Sequence, residues 1–265
     1  MADYNLFAFV RIEDQNCKFP DKKIRQEVED RIQAPFIGTA EQDEIIYTIL
    51  DLEQYIGQKI EWVSGKTFDQ ILVRPGGKKY LPNKVMRFCT IEMKLEPIKQ
   101  WWWENIKEPV ETRIGFRANE MRRAKSMLDR CHEDGFLYEK FVTGKFGRGK
   151  IWTDFKYQKP VFPLIEDGVF KDKVESFWKD KPVRFAFMNN CVGCFHRSEI
   201  LLKRMSQLEP DKMEWFARQE REVGYDTNNG GFKDGLKYDD IISWNTQFDL
   251  FDDDFNDCDS GYCGL

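Results

Sequence analysis

The first third of the chain alternates short apolar runs with longer segments in which apolar residues recur every three or four positions. Residues 5–10, 34–38 and 59–63 are the apolar runs, and they predict buried strands. The segments 21–32 and 41–56 lie between them, and their apolar spacing predicts two amphipathic helices. Strands that alternate with helices in this way predict an α/β fold with a largely parallel sheet.

The rest of the chain is richer in predicted helices and contains one predicted hairpin. Residues 88–102 carry apolar side chains at helical spacing, with Pro97 as a kink or as the start of a second helix. Further helices are predicted over 118–129, 174–178, 199–208 and 211–222, a strand over 110–115, and a hairpin over 135–157. We therefore divide the chain into an α/β core (1–134), a hairpin insertion (135–160) and a helical part that carries cysteines (161–265) and packs on the core.

Composition narrows the class of protein. The 265 residues have a net charge of −5, which argues against a general nucleic-acid-binding protein but leaves room for a local basic pocket. The N-terminus lacks the features of a signal peptide, and no apolar run has the length of a membrane span. We predict a cytoplasmic protein without membrane contact, in which the seven cysteines are metal ligands or buried side chains rather than disulfides.

Four cysteine positions carry the strongest chemical signal. Cys89 begins a predicted helix, Cys191 and Cys194 form a C-x-x-C step, and Cys258 and Cys263 close the chain. Such a step can direct two thiolates to one metal, so convergence of these positions predicts an iron–sulfur or zinc centre. The tail is then expected to fold back and to supply the fourth sulfur from one of its two cysteines.

Each cysteine position also has a simpler interpretation. Cys89 taken alone is better explained as a buried structural cysteine, and the C-x-x-C step is also compatible with a redox pair. The tail cysteines are alternatively incidental surface thiols. His196 follows the step closely, and it is either a fourth ligand or a side chain that packs nearby.

A second candidate site lies where the predicted strand 110–115 meets the following helix. Gly115 permits close approach of the backbone, and Arg117 and Arg123 could contact phosphate oxygens near the positive end of the helix. This edge lines the ligand crevice of open α/β sheets. The alternative is a solvated charged helix face, which explains Arg122 and Lys125 equally well.

One further match to a phosphate-binding motif is rejected. Residues 144–150 fit the pattern G-x-x-x-x-G-K, but no Ser or Thr follows to bind magnesium, and the next residues favour a strand. We interpret the segment as a basic hairpin tip. A nucleic-acid partner reached through Lys145, Arg148 and Lys150 is a third and weaker alternative, which the acidic net charge disfavours.

Four blocks occur in an order that resembles a known family. They are Leu-Pro-Asn-Lys-Val-Met-Arg-Phe-Cys-Thr-Ile-Glu-Met-Lys-Leu-Glu-Pro-Ile (81–98), Ile-Gly-Phe-Arg-Ala-Asn-Glu (114–120), Asn-Cys-Val-Gly-Cys (190–194) and Cys-Asp-Ser-Gly-Tyr-Cys (258–263). Together they resemble the phosphoadenosine phosphosulfate (PAPS) reductase-like proteins of bacteria and bacteriophages, which belong to the adenine-nucleotide α-hydrolase superfamily. The likeness covers about residues 35–265.

The resemblance implies an open Rossmann-like or flavodoxin-like sheet with helices on both faces, an adenine nucleotide and sulfur metabolism. By motif, it implies that the metal ligands are Cys89, Cys191, Cys194 and Cys263 (or Cys258), around a 4Fe–4S cluster or, alternatively, zinc. It also implies that Gly115, Arg117, Glu120, Arg123 and Thr39 line a nucleotide or phosphate pocket. The implied partner is an adenine nucleotide or a phosphorylated small molecule, with room for a protein partner and no nucleic acid expected.

The chain departs from this family after its first strand. The family has a Ser-Gly-Gly-x-x-Ser loop there, whose amides hold phosphates, whereas this chain has Arg11, Ile12, Glu13 and Asp14. Two carboxylates repel a pyrophosphate. The leading hypothesis is a PAPS reductase-like protein in sulfur transfer or redox chemistry, with no catalytic residue assigned. The alternative is a catalytically degenerate binding or structural protein, whose metal only stabilises the fold.

Overall fold

The computed structural model describes residues 3–147, 149–224 and 230–245. Contacts divide the chain into two compact units. Of the described residues, 3–101 and 182–245 belong to the first unit, and Trp102–Lys181 form the second. The division into 1–134, 135–160 and 161–265 stays a prediction.

The N-terminal part of the first unit contains short strands and longer helices. In chain order these elements are β1 (Leu6–Ala8), β2 (Arg11–Ile12), α1 (Lys22–Ile32), β3 (Gly38–Thr39), α2 (Glu44–Ile56), β4 (Glu61–Val63) and α3 (Phe68–Leu72). β1 and β4 pair in parallel, with Phe7 opposite Trp62. β2 and β3 pair antiparallel as a separate two-stranded sheet. The apolar faces of α1 and α2 pack with β1 and β4 around Phe9, Phe19 and Phe36.

Helix ends in this part follow local sequence signals. The Asp21 side chain accepts hydrogen bonds from the backbone N–H groups of Lys23 (2.8 Å) and Ile24 (3.1 Å), and it caps α1. α2 ends at Gly57, whose φ of 64° lies in the left-handed region that glycine adopts without strain. These signals explain why both helices end within three residues of their predicted bounds.

The predicted helix over 88–102 is present but not uniform. It begins as α4 (Phe88–Thr90), widens into a π-helical turn (Ile91–Leu95) and continues as α5 (Glu96–Asn105). Pro97 cannot donate the backbone hydrogen bond that a regular helix needs at its position, and it lies two residues after the end of this wide turn. Such turns are frequent at functional sites.

The second unit contains a mixed three-stranded sheet and short helices. Its elements are β5 (Val110–Arg113), a 3₁₀ turn (Ala118–Glu120), α6 (Met121–Leu128), β6 (Leu137–Phe146), β7 (Gly149–Val161), α7 (Pro163–Glu166) and α8 (Lys171–Trp178). β7 is the central strand, parallel to β5 and antiparallel to β6. Trp102, Phe141 and Tyr157 form one buried cluster, and Phe116 stacks on Phe162 in another.

Three helices complete the first unit: α9 (Glu199–Leu208), α10 (Pro210–Val223) and α11 (Tyr238–Ser243). They enclose a core in which Trp215, Phe216, Phe232 and Tyr238 are almost fully buried. The bounds of α9 agree with the prediction, and α11 was not predicted.

The α/β class is therefore confirmed in its coarse form, with two parallel strand pairs. The largest sheet among the described residues has three strands. No helix in the described ranges is long and apolar enough to cross a membrane.

Candidate metal centre

Three of the predicted metal ligands, which we call the cysteine cluster, lie near one another in the first unit. Cys89 lies in α4, and Cys191 and Cys194 lie in the loop that precedes α9. Cys89 and Cys191 pack against the same hydrophobic core. Each pair within the cluster is close enough for one thiolate to raise the pKa of another. The structure therefore brings together residues that are about a hundred positions apart in sequence.

The loop that carries Cys191 and Cys194 is tightly held. The N–H of Cys194 donates to the carbonyl of Cys191 at 3.1 Å, which closes the turn. The Arg197 side chain donates to the Cys191 carbonyl (3.1 Å) and to the Asn190 carbonyl (2.7 Å). The N–H of buried Val192 donates to the carbonyl of Ala40 at 2.8 Å, which ties the loop to the end of β3.

Gly193 is the residue that this loop geometry requires. A Cβ atom at this position would lie 2.4 Å from the ring of Phe216 in α10, which is too close for any side chain. The hydroxyl of buried Tyr238 donates to the Gly193 carbonyl at 3.0 Å. The glycine inside the C-x-x-C step thus permits close packing on the aromatic core.

Two thiols of the cluster, those of Cys89 and Cys191, favour their protonated form. Burial, together with the neighbouring Cys194, raises the pKa of Cys89 to about 11. Burial also raises the pKa of Cys191 well above its usual value; the Glu41 carboxylate adds to this rise and Lys94 opposes it. Metal binding to such thiols must release their protons.

A partly buried ion pair beside the cysteines is the main feature that sequence reasoning missed. Lys94 Nζ lies 2.6 Å from Glu41 Oε1, and only 2 % of the Glu41 side chain is exposed. Burial lowers the pKa of Lys94, but Glu41, Cys191 and Cys194 outweigh this effect and raise it. Glu41 lies two residues after Thr39, and Lys94 lies five residues after Cys89 in the same helical segment. Their closeness in sequence to the predicted site residues Thr39 and Cys89 was the signal that could have pointed to them.

The donor chemistry fits a metal that prefers sulfur, such as zinc or the iron of an iron–sulfur cluster. Among the residues that the structure describes, however, no group of three or more His, Cys, Asp and Glu side chains has an arrangement that could hold a metal ion. The predicted fourth ligand, Cys263 or Cys258, lies outside the described residues. None of the five described cysteines forms a disulfide bond.

His196, the alternative ligand, lies two residues after Cys194. Its ring packs on Phe195, with 4.5 Å between centroids. Burial, together with the positive charges of Arg87 and Lys84, lowers the pKa of His196 to about 4. The imidazole is therefore neutral at physiological pH.

Thr39 lies at the end of β3 in the first unit and is fully buried. Its hydroxyl donates to the Val10 carbonyl at 2.9 Å and accepts from the N–H of Glu41 at 3.1 Å. The side chain thereby fixes the turn that places Glu41 beside Lys94. Its predicted role in binding a nucleotide stays a prediction.

The other predicted pocket residues lie in the second unit, in what we call the arginine turn (115–123). Glu120 accepts hydrogen bonds from the Arg117 backbone N–H (2.9 Å), from Arg117 Nε (3.1 Å) and from Arg123 Nη1 (2.6 Å). Burial raises the pKa of Glu120, but these hydrogen bonds outweigh the effect of burial and lower the pKa.

The Arg123 guanidinium of the arginine turn also lies 4.1 Å from the ring centre of Phe116. Beside Gly115 there is open space, because an added Cβ would meet only Leu164 Cδ1 at 4.0 Å.

The segment after β1 is occupied by internal hydrogen bonds. The Arg11 guanidinium donates to Ser64 Oγ, to the Pro35 carbonyl and to the Gly65 carbonyl, each at 2.7 Å. Glu13 Oε1 accepts from Thr67 Oγ1 and Gln70 Nε2, each at 2.8 Å. Residues 11–14 thus form a short strand and a network of side-chain hydrogen bonds.

The rejected G-x-x-x-x-G-K match lies in the β6–β7 hairpin, where Lys145 is opposite Lys150. This geometry agrees with the interpretation as a hairpin tip. Comparison of the chain with protein-family models, with curated proteins and with solved structures found no match.

Proposed function

We propose that the cysteine cluster, together with a sulfur from Cys263 or Cys258, holds a 4Fe–4S cluster or a zinc ion. The observation that carries the proposal is the mutual proximity of Cys89, Cys191 and Cys194. When bound, such a centre supplies either electron transfer or activation of sulfur. The protein would then act in sulfur transfer or redox chemistry, as the resemblance to PAPS reductase-like proteins implies.

The chain's own residues support this role through charge and position. Four thiolates around a metal carry a negative charge, and the Lys94 ammonium beside Cys191 and Cys194 would offset part of it. Glu41 holds Lys94 in place with the 2.6 Å ion pair. Arg197 and Tyr238 fix the loop of Cys191 and Cys194, so that little ordering is left for the metal to impose.

The finer fold assignment and the ligand belong to the same proposal. A Rossmann-like or flavodoxin-like relationship is supported by the order of elements in the first unit and by the parallel β1–β4 pair. The proposed substrate is an adenine nucleotide or a related phosphate at the arginine turn. For a phosphate to bind there, Arg117 and Arg123 must exchange part of their contact with Glu120 for the ligand.

Anaerobic purification followed by metal analysis tests the proposal. Iron with labile sulfide and broad visible absorbance is the expected result for a cluster, and stoichiometric zinc is the expected result for the alternative metal. A chain that contains neither metal after anaerobic preparation contradicts the proposal.

A second candidate function is a binding or structural protein whose metal only joins the tail to the core. The side-chain network of Arg11 and Glu13, which fills the place of a phosphate loop, favours it. Calorimetric titration with ATP and with PAPS separates the two functions. Tight binding of either nucleotide supports the PAPS reductase-like function, and metal without nucleotide binding supports the structural one.

A further inference from the structure

The end of the β6–β7 hairpin carries exposed apolar side chains that the proposed metal centre does not use. We call residues 142–146 and 149–152 the distal ribbon. Phe146 is 84 % exposed and Trp152 is 56 % exposed, and Val142 and Ile151 are also exposed. Large aromatic side chains that are left in solvent on a two-stranded ribbon indicate a contact surface.

One face of the distal ribbon combines an aromatic ring with positive charge. Trp152 and Lys150 are two residues apart on β7, so their side chains lie on the same face. Lys145 is directly opposite Lys150, and Val142 is opposite Trp152, which places both on that face as well. The extra residue that shifts the register lies between Val142 and Gly144 on β6, so it does not disturb the alternation on β7.

The lysines of this face are arranged unfavourably for the isolated protein. Like charges directly opposite each other in an antiparallel pair destabilise it, as Lys145 and Lys150 do here. Lys156, nearer the base of the hairpin, pairs with Asp134 at 3.1 Å. Lys145 and Lys150, by contrast, make no ion pair with any residue that the structure describes. A polyanion bound to this face would remove the repulsion.

The charge of this segment is opposite to that of the chain. Residues 142–152 contain three basic and no acidic residues, whereas the whole chain has a net charge of −5. The acidic net charge therefore does not describe this surface. It argues against general adhesion to nucleic acid, but not against binding that is confined to the ribbon.

We propose that the distal ribbon binds a single-stranded nucleic acid. Lys145 and Lys150 contact its phosphates, and an unpaired base stacks on Trp152. A base stacks well on an exposed aromatic ring, and adjacent lysines supply the matching phosphate contacts. A duplex conceals its base faces and would leave Trp152 without a stacking partner. An anionic membrane would satisfy the lysines without requiring an aromatic ring on the same face.

The test is fluorescence anisotropy of the full chain with a labelled oligo(dT) of about twelve nucleotides at low salt. Binding that weakens as salt is added is expected for the unaltered protein. K145Q/K150Q should weaken binding about tenfold and flatten the slope of log affinity against log salt by about 1.4, since each phosphate contact in single strands contributes about 0.7. W152A should weaken binding about tenfold, and W152F should restore most of the loss.

K18Q/K22Q is the matched control, because it replaces two exposed lysines of the first unit and removes as much positive charge as K145Q/K150Q. It should leave the affinity unchanged, and circular dichroism should show all variants folded. The proposal is overturned if the chain does not bind the oligonucleotide, or if W152A binds it as well as the unaltered protein. It is also overturned if a duplex or phosphatidylserine vesicles bind more tightly than the single strand.

Discussion

The cysteine cluster of the first unit and the arginine turn of the second differ in how the charges of their reactive groups are balanced. In the arginine turn, Glu120 occupies both Arg117 and Arg123 with hydrogen bonds of 2.6–3.1 Å. In the cysteine cluster, burial raises the pKa values of Cys89 and Cys191, and Lys94 lies close enough to Cys191 and Cys194 to compensate added negative charge. Thiols that lie near a compensating cation favour a bound metal, so the metal proposal has the stronger physical basis of the two.

The largest expected effect comes from removing a sulfur of the cysteine cluster. Cys191→Ser should abolish stoichiometric metal binding, because a serine oxygen is a poor substitute for a thiolate with these metals. Metal per chain, measured after anaerobic purification, checks this outcome. Cys131→Ser is the matched control in the second unit, where the thiol only donates to the Met127 carbonyl at 3.6 Å. Equal metal content in the two variants would contradict the assignment of Cys191.

Glu220, which accepts a hydrogen bond from the backbone of buried Tyr238, should make the free energy of unfolding depend on pH. Burial raises the pKa of Glu220 from 4.5 to about 7, even though its carboxylate accepts from the N–H groups of Phe232 and Tyr238. A native state that holds a proton more tightly than the unfolded chain loses stability as pH rises from 4.5 to 7, here by about 3 kcal/mol.

Urea unfolding of the unaltered protein and of E220Q across that pH range isolates this contribution. The difference between the two free energies of unfolding should change between pH 4.5 and 7 and stay constant above 7. A difference that does not vary with pH in that window would show that Glu220 titrates normally.

A methyl group at Gly193 should disturb the cluster through packing alone. Gly193→Ala places a Cβ 2.4 Å from the Phe216 ring, and overpacking of this kind costs about 1–3 kcal/mol. Gly115→Ala is the comparison in the second unit, where the new Cβ meets only Leu164 Cδ1 at 4.0 Å. Thermal unfolding should show a clear loss for the first variant and little change for the second; similar melting temperatures would refute the close contact.

The smallest expected effect concerns the arginine turn. Glu120→Gln removes the negative charge that holds Arg117 and Arg123, so phosphate or ATP should bind a few times more tightly, since an exposed or partly buried charge contributes about 1 kcal/mol. Glu111→Gln is the control, because its 3.9 Å pair with Arg113 is exposed. If calorimetry finds no gain in E120Q over E111Q, the arginine turn is a structural ion-pair network and not a phosphate pocket.

The sequence was informative wherever structure depends on neighbours in the chain. Asp21 and Gly57 set helix ends locally, so α1 and α2 could be placed to within a few residues. The pairing of the strands could not be predicted in the same way, because it depends on contacts between distant segments. β3 pairs antiparallel with β2 rather than extending the parallel β1–β4 pair. Strands of two or three residues have too little pattern to specify a partner.

In the candidate site, too, local features could be predicted from the sequence and contacts between distant segments could not. Cysteine spacing pointed to Cys191 and Cys194 because a C-x-x-C step is a local signal, whereas Cys89 was assigned as a ligand through the family resemblance. The Glu41–Lys94 ion pair joins residues 53 positions apart, and charged residues are mostly exposed, so nothing local predicts that Glu41 is buried beside the cysteines. Gly193 was predicted to help both sulfurs turn to one point; its close contact with Phe216 became visible only in the folded chain.

X-ray absorption at the metal edge of the anaerobically purified chain tests the central claim most directly, because it reports the atoms bound to the metal. The account predicts a shell of sulfur neighbours at about 2.3 Å, with four sulfurs per zinc or with added iron–iron scattering for a cluster. It also predicts that this shell is lost in Cys194→Ser and kept in Cys131→Ser. A metal surrounded mainly by oxygen or nitrogen, or a sulfur shell that survives the loss of Cys194, would contradict it.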